Sequence, residues 1–320
     1  MPPVLSVVVP AYNEAGTIAQ ILARVLHEST DKEVLIVDDG STDGTRNVID
    51  RWLRSLSSEG LPNHVRRISL TRHPANRGKG AAVRTGLREA TGRYFMIQDA
   101  DLELDPADYD RLLAPLESGE AEFVVGYRVS SHRPPGGRLR DLGILSLNGL
   151  VRALYGQKLR DEACCFKVAR VDHFRQMNLE SEGFECCPEI IAKACRLCLR
   201  FREVPVSYFP RTRADGKKLR LRHGVSAVRT LLRCRQWRPE EAARAVTPAD
   251  APPPTGPRYP PPVAGSFAAS AGGFASERLF DRAESSTALN RNPTPPPAST
   301  TTRAVRITNW SGDTDGPCNQ

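Results

Sequence analysis

Asp99, Ala100 and Asp101 follow the apolar run Tyr94-Phe95-Met96-Ile97. Two carboxylates one residue apart share a side of an extended backbone, because strand side chains alternate with period two. Hard oxygen ligands of this kind suit a divalent cation that also holds phosphate oxygens. Glu103 adds a third carboxylate to that side if the chain stays extended. Three such groups repel one another unless a cation or hydrogen bonds offset them. On its own an Asp-x-Asp triplet also fits a solvated acidic turn. Two further polar clusters follow apolar runs in the same way: Tyr12-Asn13-Glu14 after residues 5–10, and Asp38-Asp39 after residues 34–37.

The elements that carry these clusters alternate. Residues 5–10, 34–37, 67–71, 94–98 and 122–127 read as five strands. Between them Ile18, Ile21, Leu22, Val25 and Leu26 keep helical spacing, as do Val48, Trp52 and Leu56, with Ser41 or Asp43 as the cap of that second helix. Residues 79–90 form a third helix, broken by Thr91-Gly92. Such alternation implies an α/β fold with a mainly parallel sheet, flanking helices, and ligands at the carboxyl ends of the strands. All three polar clusters fall there. The glycine-rich segment 76–80 opens a helix, so its backbone N–H groups and Lys79 suit a diphosphate. Gly86 inside the same helix points to close packing on the sheet.

Three regions follow from composition and pattern: 1–130 with the alternating elements and polar clusters, 131–245 with basic amphipathic segments, and 246–320 as a tail. The tail holds 13 of the 26 prolines, among Ala, Ser, Thr and Gly, and reads as disordered because it has too little apolar surface to offset its ordering entropy. From Arg196 to Arg244 there are 14 Lys or Arg against four acidic residues, within a net charge of +8. This stretch wants an anionic partner, or is a solvated basic helix face. It lacks interleaved aromatics, so nucleic acid is not expected. Eight cysteines, without a leader pattern at the N-terminus, point to free thiols in a reducing cytoplasm. Cys195 and Cys198 have the spacing of a zinc pair but fall in an apparent helix. No run approaches the ~20 apolar residues of a membrane span.

The segments VVPAYNE (8–14), VDDGSTDGT (37–45), NRGKGAAVRTG (76–86) and QDADLELDP (98–106) resemble family 2 glycosyltransferases of the GT-A fold. Later segments, GYR (126–128), DEACCFK (161–167), EVPV (203–206) and GKK (216–218), resemble the dolichyl- and polyprenyl-phosphate branch. The resemblance implies a UDP- or GDP-sugar donor, a polyprenyl phosphate acceptor, and inversion at the anomeric carbon. It implies that Pro10, Tyr12, Glu14 and Asp39 contact the base and ribose, and that Asp101 is the main ligand of Mg²⁺ or Mn²⁺. Asp99 lies near the sugar or the metal, and Glu103 is a further candidate ligand. Arg128 and Arg140 match arginines that hold the acceptor phosphate, with Arg138 as a near neighbour of Arg140.

A lipid phosphate is already an anion and needs positioning by arginine rather than a general base. A hydroxyl acceptor needs a base, for which Asp161 or Glu185 is the candidate. Leu139, Leu142, Leu145, Leu147, Leu150, Val151 and Leu154 form one apolar set, and Val225, Val228, Leu231 and Leu232 interleave with Arg229, Arg233 and Arg235 ahead of Trp237. Both fit interfacial helices on an anionic membrane surface, or ordinary amphipathic helices packed on the sheet. The expected location is the cytoplasmic face of the membrane, held peripherally. A nucleotide-sugar-binding or RNA-associated protein is the non-enzyme alternative.

Overall fold

Strands β1 (Leu5–Ala11) and β2 (Lys32–Asp38) are apolar runs buried on both faces, as the interior of a helix-covered parallel sheet requires. The computed structural model describes residues 2–129, 137–211, 221–239 and 305–309. Between β1 and β2, α1 (Ile18–His27) buries the stripe Ile18, Ile21, Leu22, Val25 and Leu26. The alternation continues through α2 (Thr45–Glu59), β3 (Val65–Arg72), α3 (Lys79–Glu89), β4 (Tyr94–Ile97), α4 (Tyr109–Glu117) and β5 (Phe123–Val129). The second half adds α5 (Gly137–Tyr155), β6 (Lys167–Arg170), α6 (Val171–Gln176), α7 (Cys186–Arg196), β7 (Phe201–Ser207), α8 (Leu221–Cys234) and β8 (Val305–Asn309).

One sheet runs in the order β7-β5-β6-β4-β1-β2-β3-β8. Its pairs are parallel except at β6, which lies antiparallel to both β4 and β5. The mixed, mainly parallel α/β class expected from the sequence is the one observed. Because β1, β2 and β4 run side by side in parallel, their carboxyl ends bring the three polar clusters to one rim.

Two expectations need correction. The segment after β4 is not extended: Asp99-Ala100-Asp101 lies in a turn, and Leu102 takes a positive φ of 63°. The alternation argument therefore does not hold there, and the turn itself brings Asp99 and Asp101 together. The tail is not wholly without structure. Residues 305–309, Val-Arg-Ile-Thr-Asn, pair parallel with β3 at the sheet edge. Their β-branched pattern suits a strand, but it was diluted by the proline-rich composition around it. The cap expected at Ser41 or Asp43 falls instead on Gly44, which makes no side-chain cap bond, while Asp43, one residue ahead, accepts the Thr45 amide at 2.9 Å. A Cβ at Gly86 would stand 2.5 Å from a methyl of Val8 on β1, which accounts for the glycine inside α3.

Candidate active site

The loops after β1 and β2 are fastened to each other. Asn13, at φ 52°, accepts the Thr42 amide at 2.8 Å through its side chain, and its own amide donates to Ser41 Oγ at 3.1 Å. The Glu14 amide donates to Thr45 Oγ1 at 2.8 Å. Pro10 and Tyr12 are half-buried at this corner.

Asp39 is buried and turned towards the glycine-rich loop. Its oxygens accept from His73 Nδ1 (2.6 Å), Asn76 Nδ2 (3.0 Å), the Arg77 amide (3.0 Å) and the Gly78 amide (2.8 Å). These bonds tie Asp39 to the glycine-rich loop and leave almost none of its surface exposed. Asp38 accepts the Ser41 amide at 3.0 Å. Gly78 has φ 96°, and a Cβ there would fall 2.3 Å from the Glu182 carbonyl, so the loop needs glycine on both counts.

The loop delivers Lys79, whose Nζ lies 2.5 Å from Asp99 Oδ1 and 3.2 Å from Cys165 Sγ. Burial works against its charge, but Asp99 and the neighbouring thiols outweigh burial and hold the ammonium well above its ordinary range. Beside this pair sit Asp101, Glu103 and Glu14, gathered around Arg211. The Arg211 guanidinium lies 3.1 and 3.3 Å from the two Glu14 oxygens and 3.3 Å from Asp101 Oδ2. Glu103 accepts the Arg211 amide at 2.9 Å and the Tyr208 hydroxyl at 3.3 Å. Burial first, then the charges of Asp99 and Glu103, push the Asp101 carboxyl up to about 6.

Among the described residues no three acidic, His or Cys side chains converge as a ready cation site, so the three-carboxylate set Asp99, Asp101 and Glu103 is not preformed. Glu103 is engaged by Tyr208 and Arg211 instead. The donor set still fits a hard cation. Asp101 is crowded by like charge that the Glu103 amide, at 3.1 Å, and Arg211 offset, and a hard cation such as Mg²⁺ or Mn²⁺ would complete its shell with phosphate and water oxygens rather than with a full protein cage.

Arg128, at the end of β5, forms a two-pronged pair with Asp161: Nε to Oδ2 at 2.6 Å and Nη2 to Oδ1 at 2.7 Å. Its guanidinium stacks 5.2 Å from the Tyr208 ring centroid. Tyr208 thus joins the carboxylate group to the arginine, ring on one side and hydroxyl on the other. Asp161, a candidate base, is already engaged with Arg128. Glu185, the other, accepts the Gly183 amide at 3.1 Å just ahead of α7. The side chains of Arg138 and Arg140 and the segment 216–218 lie outside the described residues, although α5 includes the backbone of both arginines. Arg211 and Tyr208 were not singled out from the sequence. They follow β7, whose parallel pairing with β5 no local pattern announces.

Residues 6–177 match the model of glycosyl transferase family 2. A dodecaprenyl-phosphate galacturonate synthase of Rhizobium johnstonii is 32% identical over 192 residues, or 59% of this chain and 54% of that protein, so the chain spans about half of that relative's length. A dolichyl-phosphate beta-glucosyltransferase of Dictyostelium discoideum is 29% identical over 67% of this chain and 68% of its own. A crystal structure of glucosyl-3-phosphoglycerate synthase from Mycobacterium tuberculosis, holding Mn²⁺, UDP-glucose and phosphoglyceric acid, has the same fold with a TM-score of 0.54. It is 21% identical and covers 73% of this chain and 80% of that one. A family match across more than half of the chain, on a GT-A sheet and with glycosyltransferases as relatives, establishes that the protein is an enzyme of glycosyl transferase family 2.

Proposed function

We propose that the enzyme moves a hexose from a nucleoside-diphosphate sugar, carried by UDP or GDP, to a polyprenyl phosphate, with a divalent cation and with inversion. The observation that carries the acceptor is Arg128. It is a half-buried arginine stacked on Tyr208, next to the carboxylate group, and its partner Asp161 is one of the two candidate bases, while the other, Glu185, accepts the Gly183 amide. An anionic acceptor needs no base, and a positioned guanidinium matches its phosphate oxygens.

In this reading Lys79 holds the diphosphate, since the amides ahead of and in the first turn of α3 are engaged: those of Arg77 and Gly78 with Asp39 and that of Ala81 with the Glu182 carbonyl. Asp39 acts through the loop by fixing the Arg77 and Gly78 amides. Asp101, with Asp99 beside it, holds Mg²⁺ or Mn²⁺, which neutralises the departing diphosphate. Pro10, Tyr12 and Glu14 shape the nucleoside corner, and Arg211 balances the carboxylates until the donor arrives. Arg140 is the second acceptor arginine.

Membrane attachment belongs to the same proposal. No helix among the described residues is long and apolar enough to cross a bilayer. Leu142 and Leu145 on α5, and Val225 and Leu232 on α8, are 52–65% exposed, with Arg229 and Arg233 beside them on α8. Leu231 and Val151 pack inward, and Trp237 stacks on Lys193 instead of facing out. The two helices are tied by the Tyr155 hydroxyl donating to the Leu231 carbonyl at 2.5 Å.

The test is to incubate the protein with Mn²⁺ or Mg²⁺ and a panel of UDP- and GDP-sugars, with and without polyprenyl phosphate. Release of nucleoside diphosphate from one donor, dependent on the lipid phosphate, is expected. Equal release with a hydroxyl acceptor and no lipid would overturn the acceptor.

A further inference from the structure

The four carboxylates at the rim are already engaged by the chain itself. Lys79 Nζ lies on Asp99, and the Arg211 guanidinium bridges Glu14 and Asp101. Both oxygens of Asp101 are taken. Oδ1 accepts the Glu103 amide at 3.1 Å, and Oδ2 lies 3.3 Å from Arg211 Nη2. Glu14, Asp99, Asp101 and Glu103 bring four negative charges against the two positive charges of Lys79 and Arg211. The excess of two is the charge of one divalent ion.

A guanidinium and a dication on one carboxylate oxygen repel each other where little solvent screens them. The Arg211 and Asp101 side chains are only 16% and 21% exposed. The pose of Arg211 is also incompletely satisfied: its Nε is buried without a hydrogen-bond partner among the described residues. A buried donor left unpaired is costly, so the side chain is poised to leave. Its backbone is secured without it. Glu103 Oε1 accepts the Arg211 amide at 2.9 Å, the Phe209 amide donates to the Glu103 carbonyl at 2.9 Å, and Leu104 and Tyr208 form an antiparallel bridge. The guanidinium can therefore swing away from a fixed Cα.

We infer that Arg211 is a resident counter-cation at Asp101 and Glu14, and that a divalent ion binds Asp101 by displacing it. The inference rests on the proposed reading of Asp101 as a metal ligand. Without the ion, Arg211 neutralises the carboxylates and ties the loop after β1 to the turn after β4. The exchange lowers the affinity of the free enzyme for the ion alone. Asp101 then takes a cation firmly only when the phosphate oxygens of a donor add to the ion's shell.

The test uses Mn²⁺ alone, without nucleotide, titrated into the full chain at constant ionic strength. Free Mn²⁺ is read by its electron paramagnetic resonance signal. Arg211→Ala is expected to bind Mn²⁺ about five-fold more tightly than wild type, or better. Arg66→Ala removes the same charge at the start of β3, the opposite end of the sheet, and should stay within about two-fold of wild type. Asp101→Asn should weaken binding, and adding Arg211→Ala to it should not bring the gain back. No tightening in Arg211→Ala, including no binding by either protein, overturns the displacement. An equal gain in the Asp101→Asn background does so too, because the arginine then acts as bulk charge rather than at Asp101. Asp101→Asn binding Mn²⁺ as wild type does would instead overturn the metal reading of Asp101, and the inference with it. If circular dichroism shows that Arg211→Ala does not fold, Arg211→Gln carries the same expectation.

Discussion

Asp39 has two oxygens and four donors around them, two of which are the backbone amides that shape the loop ahead of α3. Hydrogen bonds to a charged group contribute about 1.5–3 kcal/mol each. Asp39→Asn sets an amide donor against one of those amides, so the KM for the sugar nucleotide should rise ten-fold or more while the fold persists. Steady-state kinetics with circular dichroism checks both halves. Glu162 is a second instructive residue: buried, with Oε1 lacking a hydrogen-bond partner. Burial pushes its carboxyl up to about 7, against the pull of Lys167. Between pH ~4.5 and ~7 the unfolded chain ionises here and the folded chain does not, so stability from this group is present at low pH and is lost as pH rises through 7. The full span corresponds to about 3 kcal/mol. Glu162→Gln should therefore be more stable than wild type at pH 8 and nearly equal at pH 4.5, read by denaturant midpoints. Chemistry-bearing residue types near strand ends were legible in the sequence: Asp99, Asp101, Lys79 and Arg128 all reach the rim. Their partners were not, because Asp39 binds a loop nearly forty residues away and Arg128 binds Asp161.

At the scale of elements, α3 and β1 meet at Gly86. Alanine there gains about 1 kcal/mol of helix propensity but places a Cβ 2.5 Å from the stiff, buried Val8. Overpacking of this kind costs about 1–3 kcal/mol, so Gly86→Ala should lower stability, as thermal melts would show. A melting point above wild type would mean that β1 yields more easily than its packing suggests. The tie between β5 and the Asp161 segment is the Arg128–Asp161 pair. Removing one partner of a buried pair costs about 3–5 kcal/mol, because the other charge is stranded. Arg128→Ala should then lose stability along with turnover, and Arg128→Lys should recover part of the stability without the two-pronged geometry. Periodicity made the first five strands and three helices legible. It was silent on β6 and β7, because β6 is four residues long and β7 carries Pro205, a residue that argues against a strand. The turn at Asp99–Asp101 escaped because Leu102, an ordinary residue, takes the positive φ that glycine usually advertises.

At the scale of the molecule, the exposed apolar side chains of α5 and α8 and the arginines of α8 predict salt-sensitive attachment to anionic vesicles. Leu145→Glu with Leu232→Glu should weaken cosedimentation at low salt; unchanged binding would remove these helices as the docking surface. Strand β8 has a different consequence. It pairs parallel with β3, yet more than two hundred residues separate the two in the chain. During synthesis the N-terminal α/β units are made long before this edge partner exists. The nascent enzyme therefore carries β3 as an open edge while the rest of the sheet assembles, and such edges template aggregation. How fast the ribosome delivers residues 305–309, and which chaperone shields β3 until then, should govern the yield of folded enzyme.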